Sequence, residues 1–291
     1  MNKVQYEIYH EDKHHTSEEF PYNTYLCSIP LDFRTVNLHW HEEVELIVIK
    51  KGCGLVSVDL VSYPVKAGDI IFVSSGQLHS IAQKEQEMME YENILFKPSL
   101  LKSSGYDMCY DTFINPFLSG SLHISPLLDN SLPYHGDIIS IIRKIDALCD
   151  QRNYGYQIAL KGYLFQMFYV LLSHCEKNNR KSSSQKSLDK TKRILSYIAE
   201  HYQEEITIET IASHCYYSKS YFMKFFKDNI GMSFVQYLKE YRLEIAAKQL
   251  STTSDSISDI ALDAGFDNLS YFNRCFKEKY GITPGRYRKI T

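Results

Sequence analysis

At 291 residues, with 44% hydrophobic and 23% charged side chains, the chain is long enough for two or three domains and too apolar to be a disordered protein. Its net charge of −3 excludes a protein that coats nucleic acid by bulk charge, yet the balance is about +3 from Lys186 onward and about −6 before it. Seven scattered cysteines without a Cys-x-x-Cys pair exclude a disulfide framework and a zinc ribbon, and predict reduced thiols in a cytoplasmic protein.

The amino terminus, MNKVQYEIYHEDKHHTSEEF, has no apolar stretch of signal-peptide length, and no later run is long enough to span a bilayer, so no membrane partner is expected. From Val44 the chain reads VELIVIK, a turn at Lys51-Gly52-Cys53-Gly54, LVSVDL, a turn near Ala67-Gly68-Asp69, IIFVSS and later YENILF. Short β-branched runs between Gly-rich turns predict an antiparallel β-barrel or jelly roll over residues 1–135. It contains His39-Trp40-His41, Glu45 and Gly52, and then a string from Gly68 to His79.

These strings resemble the paired motifs of the cupin superfamily, with Ser74 where the usual Pro stands and Gln83 where the usual Asn stands. Strand alternation would put His39, His41 and Glu45 on one face, with His79 arriving from a neighbouring strand. Three imidazoles and a carboxylate can hold a divalent transition metal such as zinc; the same groups can equally line a polar sensor pocket. The expected effector site is His39, Trp40, His41, Glu45 and His79, with Tyr22, Tyr25, Tyr63 and Phe72 as further rings on which a sugar face could stack.

Residues 136–176 carry two helical patterns, the second with more apolar residues than one packed stripe needs: Ile158, Leu164, Phe165, Phe168, Leu171 and Leu172. The excess predicts either burial against the barrel or a subunit interface. Residues 177–187, polar and rich in Ser and Lys, read as a linker.

Residues 188–291 say one thing twice. IETIASHCYYSKSYFMKFFKDNIG from Ile208 returns as ISDIALDAGFDNLSYFNRCFKEKYG from Ile257, with one extra residue in the turn. Each copy is a short amphipathic helix, a tight turn and a second helix, the layout of a helix-turn-helix. Ser218 and Asp267 are the expected caps of the second helices. Phe222, Phe225 and Phe226 form the inward stripe of one, and Phe272, Cys275 and Phe276 that of the other. The outward faces receive Ser220, Tyr221, Lys224 and Lys227 in the first copy, and Ser270, Tyr271, Asn273, Arg274 and Lys277 in the second. Cations there suit phosphate, and Arg, Asn and Ser suit base edges. A helix from Ser233 to Leu250 is expected to connect the copies.

The repeat and the closing Gly281-Ile282-Thr283-Pro284-Gly285-Arg286-Tyr287-Arg288 resemble the DNA-binding domain of the AraC/XylS family of transcription regulators. The resemblance implies a seven-helix, two-lobed domain whose third and sixth helices enter adjacent major grooves. It adds Leu269 to the contacts, and Met223, which departs from the usual polar reader. It further implies pairing of the 136–176 helices in a homodimer, and partners in promoter DNA, a small effector such as a sugar, and RNA polymerase. The expected fold is thus α+β and multidomain: a cupin-like barrel, a helical dimerisation segment and an all-α double helix-turn-helix. The expected function is an effector-responsive DNA-binding regulator of transcription, an activator by family habit. The alternative is a metal-dependent cupin enzyme fused to a DNA-binding module.

Overall fold

A computed structural model describes residues 19–32, 35–177 and 182–290. Residues 1–18, with which the barrel domain is expected to begin, lie outside the described residues. The described residues divide into two compact units, one of residues 19–36 and 40–177 and the other of residues 182–290 together with residues 37–39.

The first unit is built on seven main strands: β1 (Tyr22–Ile29), β2 (Thr35–His39), β3 (Val44–Val58), β4 (Val61–Lys66), β5 (Ile70–Val73), β6 (His79–Ala82) and β7 (Met89–Phe96). Two-residue strand β9 (Leu127–Leu128) lies at the edge beyond β5, and β8 (Leu122–His123) pairs with β10 (Glu176–Lys177) apart from it, after the short helix α1 (Asn115–Leu118). One sheet runs β1-β7-β3-β5-β9; the far half of β3 leaves it to pair with β4 and β6, and β6 pairs with β2.

The turn expected at Lys51–Gly54 is therefore not a turn. Strand β3 passes straight through it, with a register shift between Ile49 and Lys51 against β7. Gly52 has φ +72°, and a Cβ there would lie 1.8 Å from the Met88 carbonyl oxygen, so this glycine serves a β-bulge rather than a hairpin. The reversal comes later, at Asp59-Leu60, both left-handed at φ +49° and +68°, as a two-residue hairpin that seats Val58 opposite Val61.

Alternation along β3 divides the unit's interior. Val44, Leu46 and Val48 join Ile70, Phe72, Ile94 and Phe96 in a core covered by α2 (His135–Gln151) and α3 (Tyr156–Leu172). The intervening Glu45, Ile47 and Ile49, with Tyr91, Asn93 and Leu95, are buried on the other face. Helix α2 contributes Ile138, Ile141, Ile142 and Ile145, one stripe at helical spacing. Helix α3 contributes Leu160, Leu164, Met167, Phe168 and Leu171, while Ile158, Phe165 and Tyr169 stand 80%, 39% and 74% exposed on its outer side. One side of the predicted apolar excess is thus buried on the sheet, and the other faces outward.

The second unit is seven helices among the described residues: α4 (Ser182–His201), α5 (Ile208–His214), α6 (Lys219–Ile230), α7 (Phe234–Thr252), α8 (Ile257–Asp263), α9 (Leu269–Tyr280) and α10 (Pro284–Ile290). Helical backbone begins at Ser182, so the second half of the stretch expected as a linker is the first turn and a half of α4. Helices α5–α6 and α8–α9 are the two predicted helix-turn-helix copies, and α7 is the connector.

Candidate DNA-reading surface and effector site

Each reader helix is fixed by a cap at its start and a left-handed glycine at its end. Ser218 accepts from the Tyr221 amide and Gly231 closes α6 at φ +84°; Asn268 accepts from the Tyr271 amide and Gly281 closes α9 at φ +75°. Asp267, the expected cap of the second reader, is the extra residue of the longer turn, and the capping position falls one residue later. Inward, Phe222 and Phe226 are fully buried, as are Phe272 and Phe276, with Cys275 beside them; Phe225 is only half-buried and stacks on Tyr221.

Outward, Ser220, Tyr221, Met223, Lys224 and Lys227 are exposed on α6, and Leu269, Ser270, Tyr271, Arg274 and Lys277 on α9. Asn273 is half-buried, and its side-chain amide donates to the Leu269 carbonyl. Arg274 lies over the Tyr271 ring, its guanidinium carbon 5.3 Å from the centroid, which holds the fork upright on the helix surface. Both faces therefore present cations and hydrogen-bonding groups on rigid, capped helices, the arrangement a major groove accepts.

In the first unit, His41, Glu45 and His79 come together out of solvent. His41 Nε2 lies 3.2 Å and His79 Nε2 2.9 Å from Glu45 Oε2, and the imidazoles meet edge to face at 4.9 Å. All three side chains are nearly inaccessible. The Nδ1 atoms turn to backbone carbonyls: His41 to Glu43 at 3.2 Å, His79 to Gln77 at 2.9 Å, and His39, at the end of β2, to Asn37 at 2.8 Å. A carbonyl oxygen only accepts, so each Nδ1 carries the hydrogen, and at His41 and His79 the Nε2 faces Glu45.

Burial alone would pull the His41 pKa down, but the hydrogen bond and charge of Glu45, with Glu43 behind, raise it above its ordinary value. Burial would push Glu45 up, and the hydrogen bonds and charges of His41 and His79 instead hold its carboxyl well below the usual carboxylate range. The ligand nitrogens of His39, His41 and His79 lie within 4.8 Å of one another, a spacing and donor set that fit a divalent transition ion.

Trp40, between His39 and His41 in the chain, is half-buried. Of the rings read as sugar platforms, Phe72 belongs to the helix-covered core, edge-on to Phe117 and Phe168, and Tyr22 packs against that core with the Cys149 thiol 3.8 Å from its hydroxyl. Neither is available to a ligand beside Glu45, because strand alternation turns them to the other face of the sheet. Sequence reasoning missed Asn93, opposite Ile47 on the face that carries Glu45. Its Nδ2 donates to the Tyr25 hydroxyl at 3.2 Å, and its buried Oδ1 has no hydrogen-bond partner within the described residues. The available signal was a polar residue at an inward position of YENILF.

A sheet domain with a buried polar cluster, followed by two capped reader helices on a connector, defines a DNA-binding transcription regulator with a sensor domain. The family models agree: an AraC-like ligand binding domain matches residues 30–166, and a helix-turn-helix domain matches residues 211–290. The chain belongs to the AraC family of transcriptional regulators. It is 25% identical over 277 residues to the uncharacterized HTH-type transcriptional regulator YdeC of Bacillus subtilis, spanning 95% of this chain and 94% of that one. It is 21% identical over 261 residues to the HTH-type transcriptional activator RhaR of Mannheimia succiniciproducens, spanning 86% of each. A crystal structure of ToxT from Vibrio cholerae shares the fold, with a TM-score of 0.50 at 16% identity over 93% of this chain and 98% of that one. Among the described residues no helix is long and apolar enough to cross a membrane.

Proposed function

We propose that the chain is a homodimeric, cytoplasmic activator whose sensor domain, residues 1–135, holds a small polyhydroxylated effector such as a sugar beside His39, Trp40, His41, Glu45 and His79. The observation that supports this most is the buried ring of hydrogen-bonding groups at Glu45, with the Asn93 Oδ1 acceptor on the same face. Hydroxyl groups donate to both acceptors, and a pocket with a few aimed polar groups in apolar walls is what a small-molecule site requires. The similarity to a transcriptional activator favours activation, through contact with RNA polymerase. The outer side of α3, with Ile158, Phe165 and Tyr169, is the surface we assign to pairing with a second copy, which makes residues 136–176 the dimerisation segment and residues 188–291 the DNA-binding domain. Base and phosphate contacts are assigned to Ser220, Tyr221, Lys224 and Lys227, and to Leu269, Ser270, Tyr271, Asn273, Arg274 and Lys277. The effector acts by binding one dimer arrangement better than another, since only differential affinity shifts a population.

A second reading has its own support. Three histidines with ligand nitrogens within 4.8 Å of one another, two of them turning Nε2 to Glu45, are the donor set of a divalent metal site, and the Nδ1-to-carbonyl contacts fix the tautomer that such a site needs. In that case His39, His41, His79 and Glu45 hold the ion, and the ion is the signal or a handle for it. An enzymatic role has less support, since the relatives are transcriptional regulators.

Thermal unfolding of the full chain against a sugar panel and against Zn²⁺ separates the readings, because a ligand of the folded state raises Tm. A sugar that raises Tm in the wild type and not in Glu45→Gln supports the first reading. Stoichiometric zinc lost with His41→Ala supports the second, and a Tm indifferent to both panels defeats both.

A further inference from the structure

At one point in the DNA-binding unit a single side chain touches both lobes. Arg242 sits on α7 between the buried Tyr241 and Leu243. Its Nε donates to the Tyr202 carbonyl at 2.7 Å and an Nη to the Glu204 carbonyl at 2.6 Å, both just beyond the end of α4 in the first lobe. On its other side lies Gly265, in the turn between α8 and α9 of the second lobe. A Cβ at residue 265 would stand 2.8 Å from Arg242 Nε and 2.5 Å from the Tyr202 oxygen. Three pieces of backbone or side chain from α4's end, α7 and the second turn are therefore in contact at one point.

A cleft of about 360 Å³ runs beside that point, lined by Glu204, Phe234, Leu238, Arg242, Gly265 and Asp267 among others. Alongside that cleft the guanidinium fork bridges the end of α4 and the turn before α9. Two donors in a rigid plane fix an angle as well as a distance, which a single point charge does not.

We propose that Arg242, seated against Gly265, sets the rotational phase between reader helices α6 and α9, and with it the number of base pairs between the two segments they read. It is a positioning residue, distinct from the residues that touch DNA. One base pair displaces the second segment by about 3.4 Å and rotates it by about 35°, so a rigid pair of readers discriminates spacing and a loose pair does not. The inference rests on the DNA-reading function of both helices.

The test uses the full chain. A duplex library with random sequence is selected with wild-type protein, and the enriched duplex is remade with one base pair inserted or removed between the two read segments. Wild type is expected to lose at least about tenfold in affinity on either change. Arg242→Ala is expected to bind the parent duplex more weakly while its penalty for altered spacing falls to about threefold or less. Equal weakening on all three duplexes, with the spacing penalty intact, overturns the proposal and leaves Arg242 a stability residue. Should Arg242→Ala not fold, Arg242→Lys is read in its place: the charge remains, the fork is gone, and an unchanged spacing penalty is again the overturning result. If wild type enriches no sequence at all, it is the DNA-reading function that fails, and this inference falls with it.

Discussion

The two helix-turn-helix copies show how one layout is built twice with different means. At the corner of the first turn stands Tyr216, left-handed at φ +57° and 84% exposed; at the same corner of the second stands Gly265, left-handed at φ +85° and buried. The hydrogen bonds agree: Tyr217 N donates to Ala212 O in one, and Phe266 N to Ala261 O in the other. The backbone shape is thus common and the glycine is not required by it. Glycine is required at 265 by the approach of Tyr202 and Arg242, whereas at 216 a tyrosine ring projects under Arg193, 5.5 Å away. Contact, rather than local geometry, selects the residue.

The ends of the reader helices differ in the same spirit. In α6, Asn229 accepts from the Ser187 hydroxyl and donates to the Phe225 carbonyl, a neutral anchorage. In α9 the matching Lys279 is held between Glu240 and Glu244 of α7, each at 2.8 Å. Burial draws the Lys279 pKa down, but the two carboxylates outweigh it and raise the value, while burial raises Glu244 against the pull of Lys279. The second reader is tied to the connector by charge and the first to α4 by one hydrogen bond, from the Ser187 hydroxyl.

The largest effect expected from breaking this comparison is at the second corner. Gly265→Ala should destabilise by about 3 kcal/mol, combining a left-handed Cβ with overpacking against a carbonyl, as read by urea unfolding. Loss below 1 kcal/mol would mean that the junction is slack. Next, Lys279→Met should cost about 2 to 3 kcal/mol, the low end for a broken buried pair because these groups stay about a fifth exposed. Asn229→Ala, which removes two neutral hydrogen bonds, should cost about half of that; equal losses would erase the distinction between the two anchorages.

On DNA, Arg274→Ala should lose about 1 to 3 kcal/mol at the selected site and relax base preference there, while Lys224→Ala should weaken all sequences alike and lower the salt slope by about one unit. A slope unchanged in Lys224→Ala removes it from the phosphate contacts. The smallest effect is Tyr216→Gly. Relief of a left-handed tyrosine and the greater freedom of an unfolded glycine nearly cancel, so a change within about 1 kcal/mol in Tm-derived stability is expected.

The repeat made the second unit legible from its residues: Phe222, Phe226, Phe272, Cys275 and Phe276 face inward and the predicted cations outward on either side of the connector, whereas Phe225 is half-buried against Tyr221. The cap of α9 was misplaced by one residue because the longer turn offers Asp267 and Asn268 in succession, and only backbone geometry chooses. In the first unit the strands VELIVIK, IIFVSS and YENILF were visible as β-branched runs, and His41, Glu45 and His79 do converge. The Gly52 bulge was not visible, because a bulge glycine and a hairpin glycine carry the same local signal and differ in what lies across the sheet. The same holds for Phe72 and Tyr22, whose side of the sheet depends on register, and for Asn93, whose partners come from other strands.

Strand β3 belongs to both sheets, and Gly52 is the point where it crosses from one to the other with no room for a side chain. A single residue gained or lost between Val44 and Val58 would turn every later side chain to the opposite wall, carrying Val56 and Val58 outward and their polar neighbours in. Descendants of this chain can therefore vary in side chain along the span that joins the two walls, but that span is held to a fixed count of residues.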